Sequence, residues 1–343
     1  MSWSPQHGIL LQTTERNRGS ARRIWNSFSI DVDRNQKSTG SASLGKLRIF
    51  SKPSIEQIVA QDKRAATLAN GQVLFWKLSD RAVKPDGVLD VSASTMQLAP
   101  DSKMLAVATD DNRCLLYDFA AGKTLGTFDL KDADGDVTAI AWQADSKAIA
   151  IGRATGEIEV VELNQDKLGD SDSIKLKLNA PINTAISQLA YSHDGTLLAT
   201  VAEQGMAVLI RAKDTEAANL QDESDTGLSE TIFRHSDKQT VLAADISADG
   251  NRVVSGSNTG RITIWNSQPH DEQASDDVRF ASDERELLHL PNLHQSPITQ
   301  VRFVDGPDGQ TVISAEKNSG KNEIISWPSA KTAIANDSTL QSD

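Results

Sequence analysis

One pattern recurs along this chain and constrains its fold more than any other feature. An apolar strand leads to a turn carrying Asp or Gly, then a second apolar strand, a second turn, and a third strand ending in a large side chain. The most regular copy, Val241–Asn266, reads VLAADISADGNRVVSGSNTGRITIWN. Its last segment places Ile262 and Ile264 on one face and Arg261, Thr263 and Trp265 on the other, the two-residue period of a strand. Asp249-Gly250 and Thr259-Gly260 supply the positive-φ positions that tight hairpins need.

Six further stretches repeat this order: Ser2–Asn26, Ile55–Lys77, Thr95–Asp118, Val137–Glu162, Ile186–Arg211 and Ile298–Pro328. Their third strands end at Trp25, Trp76, Tyr117, Val161, Ile210, Trp265 and Trp327, spaced by 41 to 62 residues. One four-stranded propeller blade takes about 40–45 residues, so seven markers imply seven blades. Candidate outer fourth strands are Leu47–Phe50, Thr124–Phe128, Ile174–Leu178, Thr231–Arg234 and Leu287–Leu290. The repeats divide residues 1–343 into copies at about 1–50, 51–93, 94–130, 131–180, 181–236, 237–292 and 293–343, with no room for a second domain.

The chain resembles the WD-repeat family over nearly its full length. The resemblance rests on the first-turn residues Ser4-Pro5, Ala99-Pro100-Asp101, Ser192-His193-Asp194-Gly195 and Ser247-Ala248-Asp249-Gly250, and on the strand endings. It implies an all-β fold, a seven-bladed WD-repeat β-propeller. The family's terminal Trp-Asp is degenerate here, appearing as Trp25-Asn26, Trp76-Lys77, Tyr117-Asp118 and Trp265-Asn266, among others. The family's buried His, Ser/Thr, Asp and Trp network maps onto His235, Ser255, Asn258 and Trp265 in the sixth copy, and onto His294, Ser314 and Trp327 in the seventh. The fourth and fifth copies have no His at the matching place, so apolar packing is expected to hold them. The first blade is incomplete at the N-terminus, since Met1-Ser2-Trp3 supplies only the end of a first strand. That reads as the C-terminal portion of a longer polypeptide whose preceding segment completes the ring. Thr332–Ala335 is the weak alternative for closure.

No catalytic or metal motif is present: no G-x-S-x-G elbow, no phosphate loop, no H-E-x-x-H helix. His7 and His193 fall in equivalent first turns and read as turn residues, and no cofactor is expected. The run Asp129–Asp136 lacks the carboxylate an EF-hand loop needs at its end and reads as a connection between blades. Cys114, the single cysteine, sits in an apolar strand as a packing residue and fits a reducing, cytoplasmic setting. A net charge of −12 disfavours nucleic acid as a partner, and no apolar run is long enough for a membrane helix.

The expected function is therefore a protein–protein interaction scaffold or sensor module, not an enzyme; a propeller that binds a small ligand or catalyses through its central channel is the alternative. Trp3 and Trp142 read as core residues. Two acidic insertions between third and fourth strands, with Asp222, Glu223 and Asp225 in one and Asp276 and Asp277 in the other, read as solvated loops or as an acidic face for a basic partner. Arg16, Arg18 and Arg22, with Arg23, form a basic patch about the second turn of the first copy, on the opposite face.

Overall fold

The structure is a computed structural model. It describes residues 2–4, 8–17, 20–28, 41–48, 55–61, 63–79, 82–130, 135–163, 171–176, 182–203, 206–212, 228–233, 239–267, 278–280, 286–290, 294–306, 309–316 and 324–327. The chain divides into two compact units, residues 1–132 with 166–170, and residues 133–165 with 171–343. Every regular element among the described residues is a strand, and the strands form seven sheets.

The first unit holds three four-stranded meanders. They are β1–β4 (Ser2–Ser4, Gly8–Asn17, Ser20–Phe28, Ser41–Arg48), β5–β8 (Ile55–Gln61, Arg64–Ala69, Gln72–Ser79, Ala82–Leu89) and β9–β12 (Ala93–Leu98, Met104–Thr109, Arg113–Asp118, Lys123–Asp129). First strands of successive sheets pack side by side, β1 on β5 and β5 on β9. Between the second and third sheets lies a core of Val59, Leu68, Val73, Phe75, Met96, Leu105 and Tyr117. Phe75 and Tyr117 stack at 4.8 Å, and the Arg64 guanidinium lies 4.8 Å from the Phe75 ring centre.

The second unit holds four sheets. They are β13–β16 (Val137–Trp142, Ala148–Arg153, Ile158–Leu163, Ser171–Leu176), β17–β20 (Ile186–Tyr191, Leu197–Ala202, Met206–Ala212, Leu228–Phe233), β21–β23 (Val241–Ile246, Arg252–Ser257, Ile262–Asn266) joined by β25 (Glu286–Leu290), and β26–β28 (Ile298–Gly306, Gly309–Glu316, Ile324–Trp327). Apolar clusters fill each interval between neighbouring sheets of this unit. The fit is tight where Gly152 and Gly256 meet the first residue of the next sheet. A Cβ at Gly152 would stand 2.6 Å from Ile186 Cγ2, and one at Gly256 2.4 Å from Ile298 Cγ2. Only glycine allows that approach.

Several expectations need correction. Outer strands β4, β16 and β20 begin three or more residues before the segments read from sequence, and β8 had no sequence candidate. The insertion between β23 and β25 is not wholly a loop: β24 (Val278–Phe280) leaves its own sheet and pairs in parallel with β20. The fourth copy is not held by apolar packing alone, because Arg153, fully buried, sets Nη2 3.3 Å from Glu159 Oε2 and donates Nη1 to the Gly135 carbonyl at 2.9 Å. Burial of a guanidinium is tolerated there because it is paired and hydrogen-bonded. Thr332–Ala335 lies outside the described residues.

Candidate interaction surface

The first turns are built alike in four copies. Asp101, Asp145, Asp194 and Asp249 each accept, through Oδ1, the N–H two residues on (Lys103 2.9 Å, Lys147 3.0 Å, Thr196 3.1 Å, Asn251 3.1 Å). The residue between has positive φ: Ser102 (62°), Ser146 (60°), Gly195 (75°) and Gly250 (68°). The Ser192 hydroxyl, 2.6 Å away, leads the interactions that hold the Asp194 carboxyl below the usual carboxylate range.

An indole–hydroxyl pair recurs in three of the sheets. Trp76 Nε1 donates to Thr67 Oγ1 at 2.9 Å, Trp265 Nε1 to Ser255 Oγ at 2.8 Å, and Trp327 Nε1 to Ser314 Oγ at 2.9 Å. Register explains the recurrence: Trp76, Trp265 and Trp327 lie opposite Ala65, Val253 and Val312, and each hydroxyl is two residues further on. Tyr117 lies opposite Leu105, where the hydroxyl position is Val107. In the seventh copy His294 Nε2 lies 2.6 Å from Ser314 Oγ, and its Nδ1 lies 3.3 Å from Glu316 Oε2. Glu316 also accepts the N–H groups of Gln295 and Ser296, both at 3.0 Å. The structure thus brings His294, Ser314 and Trp327 together, buried, in a structural network rather than an open site.

Second turns are braced against the loop entering each sheet. Asp110, Ala154, Glu203 and Asn258 donate their N–H groups to the carbonyls of Ser92, Asp136, Ala185 and Thr240, at 2.9–3.0 Å. Asp110 Oδ2 accepts the Ser92 hydroxyl at 2.5 Å, and Asn258 Oδ1 accepts the Thr240 N–H at 3.1 Å. A Gln in the first strand adds a tie between sheets. Gln57 accepts from Met96 N–H at 2.8 Å, and Gln188 donates to the Ala244 carbonyl at 2.8 Å. Asp245, buried, accepts from Phe303 N–H at 2.8 Å and lies 3.1 Å from Arg302 Nη1; desolvation pushes its carboxyl up. None of these ties was anticipated, although the repeated Ile-x-Gln at Ile55, Ile186 and Ile298 marks the glutamines.

Among the described residues, exposed lysines are confined to one strand end, whereas exposed carboxylates occur at both, with Asp101, Asp145, Glu162, Asp194 and Asp249 at the first-turn end. In the first unit, Asp90, Asp110, Asp111 and Asp129 are exposed at the second-turn end, with Arg113 ion-paired to Asp111. In the second unit, Asp136, Glu157 and Glu203 are exposed at that end. All six lysines with described side chains (Lys63, Lys77, Lys84, Lys103, Lys123, Lys147) are exposed at the first-turn end of their sheets. Backbone pairing puts Arg16 and Arg22 beside the β2–β3 turn and Trp25 opposite Gln12. Asp222, Glu223, Asp225, Asp276, Asp277, Arg18, His235 and His7 lie outside the described residues. Trp142 is core, His193 is an exposed turn residue, and Cys114 is fully buried, its thiol pushed up to about 12 by desolvation. Among the described residues no group of His, Cys, Asp or Glu could hold a metal ion, and no helix is long and apolar enough to cross a membrane.

Comparison with known proteins agrees with this architecture. Residues 228–266 match the model of the WD domain, G-beta repeat. That span joins β20 of one sheet to β21–β23 of the next. No curated protein sequence matches the chain. A crystal structure of Sqt1 from Chaetomium thermophilum superposes with a TM-score of 0.64 at 14% identity, covering 97% of this chain and 95% of that one. A second Sqt1 structure from the same organism gives 0.60 at 16% identity, covering 90% and 78%. At such identity the likeness speaks for the fold alone, a β-propeller-type arrangement of antiparallel sheets. Residues 228–266 thus carry a WD-type repeat, within a fold similar to that of Sqt1.

Proposed function

We propose that the chain is a seven-bladed propeller acting as a protein-interaction scaffold, without catalysis, and that it docks a basic segment of its partner on the second-turn end of its blades. One observation carries this reading: the second turns are hydrogen-bonded to the loops entering their sheets and bear exposed carboxylates, with Arg113 the one exposed cation there among the described residues, while the described lysines stand at the other end. Bracing lowers the ordering cost of association, because turns already fixed lose little freedom on binding. Carboxylates of one sign on such turns attract a Lys- or Arg-rich segment and raise its encounter rate. The other buried polar groups described above are engaged in holding sheets together, which favours a rigid platform over a reaction site.

The test is partner association by wild type and by Asp110→Lys/Asp111→Lys/Asp136→Lys/Glu157→Lys across a salt series. The reading expects wild-type association to weaken as salt rises and the variant to lose it at low salt. Equal association by both proteins at every salt concentration counts against it.

A further inference from the structure

Among the described strands, the outer edge of the fifth sheet alone carries a strand from another repeat, although β25 (ELLHL) likewise has neither proline nor lysine. Strand β8 protects itself with Pro85, set between Lys84 and Asp86, all three at the sheet margin. Strand β12 is exposed or half-buried at every residue but Phe128 and begins with Lys123. Strand β20 reads LSETIF, with no proline and no lysine, and its described residues are buried: Glu230 0%, Thr231 8%, Ile232 0% and Phe233 0% exposed. What lies along this edge is β24, a three-residue strand borrowed from the insertion of the next repeat. It is parallel, whereas the other paired strands are antiparallel, and its register is Glu230↔Val278, Thr231↔Arg279 and Ile232↔Phe280. Half of the six-residue β20 is paired and the rest of its edge is not matched by β24.

We propose that the β20 edge is a strand-accepting site for an extended peptide of a partner protein, and that β24 is its resident occupant. A sheet edge without proline or lysine, once its resident strand leaves, offers a ladder of backbone donors and acceptors that any extended chain can join, with alternate side chains setting specificity. The sequence of the resident strand defines the chemistry the edge accepts: a β-branched residue and an aromatic residue two positions apart, as in Val278-Arg279-Phe280. A partner strand pairing along all of Leu228–Phe233 forms more ladder contacts than the three-residue resident and displaces it. This site involves the side edge of one sheet and stands independently of the acidic second turns.

The test uses the full chain and a synthetic peptide with the sequence of residues 275–283. In the variant Val278→Gly/Arg279→Ser/Phe280→Gly, the β20 amides facing away from β19 should exchange at least tenfold faster than in wild type. The peptide should bind the variant at least tenfold tighter than wild type and restore that protection. A peptide N-methylated at the position of Arg279, which removes one backbone donor, should bind the variant at least tenfold more weakly. Unchanged exchange in the variant, or equal binding of the peptide with and without the N-methyl group, overturns the proposal. Should the triple variant not fold, Arg279→Pro gives the same exchange comparison with one substitution.

Discussion

Thr200 provides the sharpest test of the repeat's internal logic. It lies two residues beyond Leu198, which pairs with Ile210, the same offset that sets Ser255 beside Trp265 and Ser314 beside Trp327. The fifth copy thus has the hydroxyl of the pair, with Ile210 at the position the indole holds in those copies. Thr200 is fully buried, and its Oγ1 has no hydrogen-bond partner among the described residues. A buried hydroxyl without a partner costs about 1–3 kcal/mol. Thr200→Val exchanges that hydroxyl for a methyl of similar shape and should stabilise the protein by about that amount. Ser255→Ala does the reverse, because it takes the acceptor from the buried Trp265 indole, and should cost about 1–3 kcal/mol. For a chain of this size the two changes should move the thermal midpoint in opposite directions by about 2–6 °C. Scanning calorimetry on both variants decides the matter. A lower midpoint for Thr200→Val, or an unchanged one for Ser255→Ala, refutes the reasoning.

Three further outcomes follow from the geometry. Gly256→Ala should cost about 1–3 kcal/mol in urea unfolding because its Cβ meets Ile298, and Ile298→Ala added to it should recover part of the loss. The lowered pKa of Asp194 means that its contribution is present above the unfolded value near 3.9 and is lost as pH falls through the folded value. The stability difference between wild type and Asp194→Asn should therefore be largest near neutrality and should shrink below about pH 4, as followed by thermal melts across pH. Cys114, buried with its thiol pushed up to about 12, should resist maleimide at pH 7 until the chain unfolds, so fast labelling under native conditions would contradict its placement.

The features legible in sequence are those carried by local spacing. Asp-Gly turns, two-residue alternation and the terminal Trp residues locate strands because each reflects the backbone within one hairpin. The His294, Ser314 and Trp327 group was also accessible, through the family resemblance, which supplies a template for residues distant in sequence. What escaped depends on contacts that no local pattern encodes. Strand β8 contains Pro85-Asp86-Gly87, which reads as a turn; at a sheet margin the proline costs no ladder bond, and a register shift beside Trp76 accommodates it. Strand β24 is too short for periodicity and pairs with a sheet its neighbours in sequence do not join. The Arg153–Glu159 pair escaped because charged residues are expected at the surface, and only the burial of both reveals it. The candidate surface was only partly legible: the sequence drew attention to acidic insertions, whereas the confinement of the described lysines to one end becomes visible once turns are assigned to strand ends.

The central claim is that partners engage the carboxylate-bearing second turns. The measurement that addresses it most directly is zero-length coupling of carboxylates to partner lysines, followed by mass spectrometry, on complexes captured from source cells. The account predicts links concentrated at Asp110, Asp111, Asp136 and Glu157, and loss of capture by the four-residue lysine variant. Links confined to Asp101, Asp145 and Asp194 at the first turns, with capture by that variant undiminished, would contradict it.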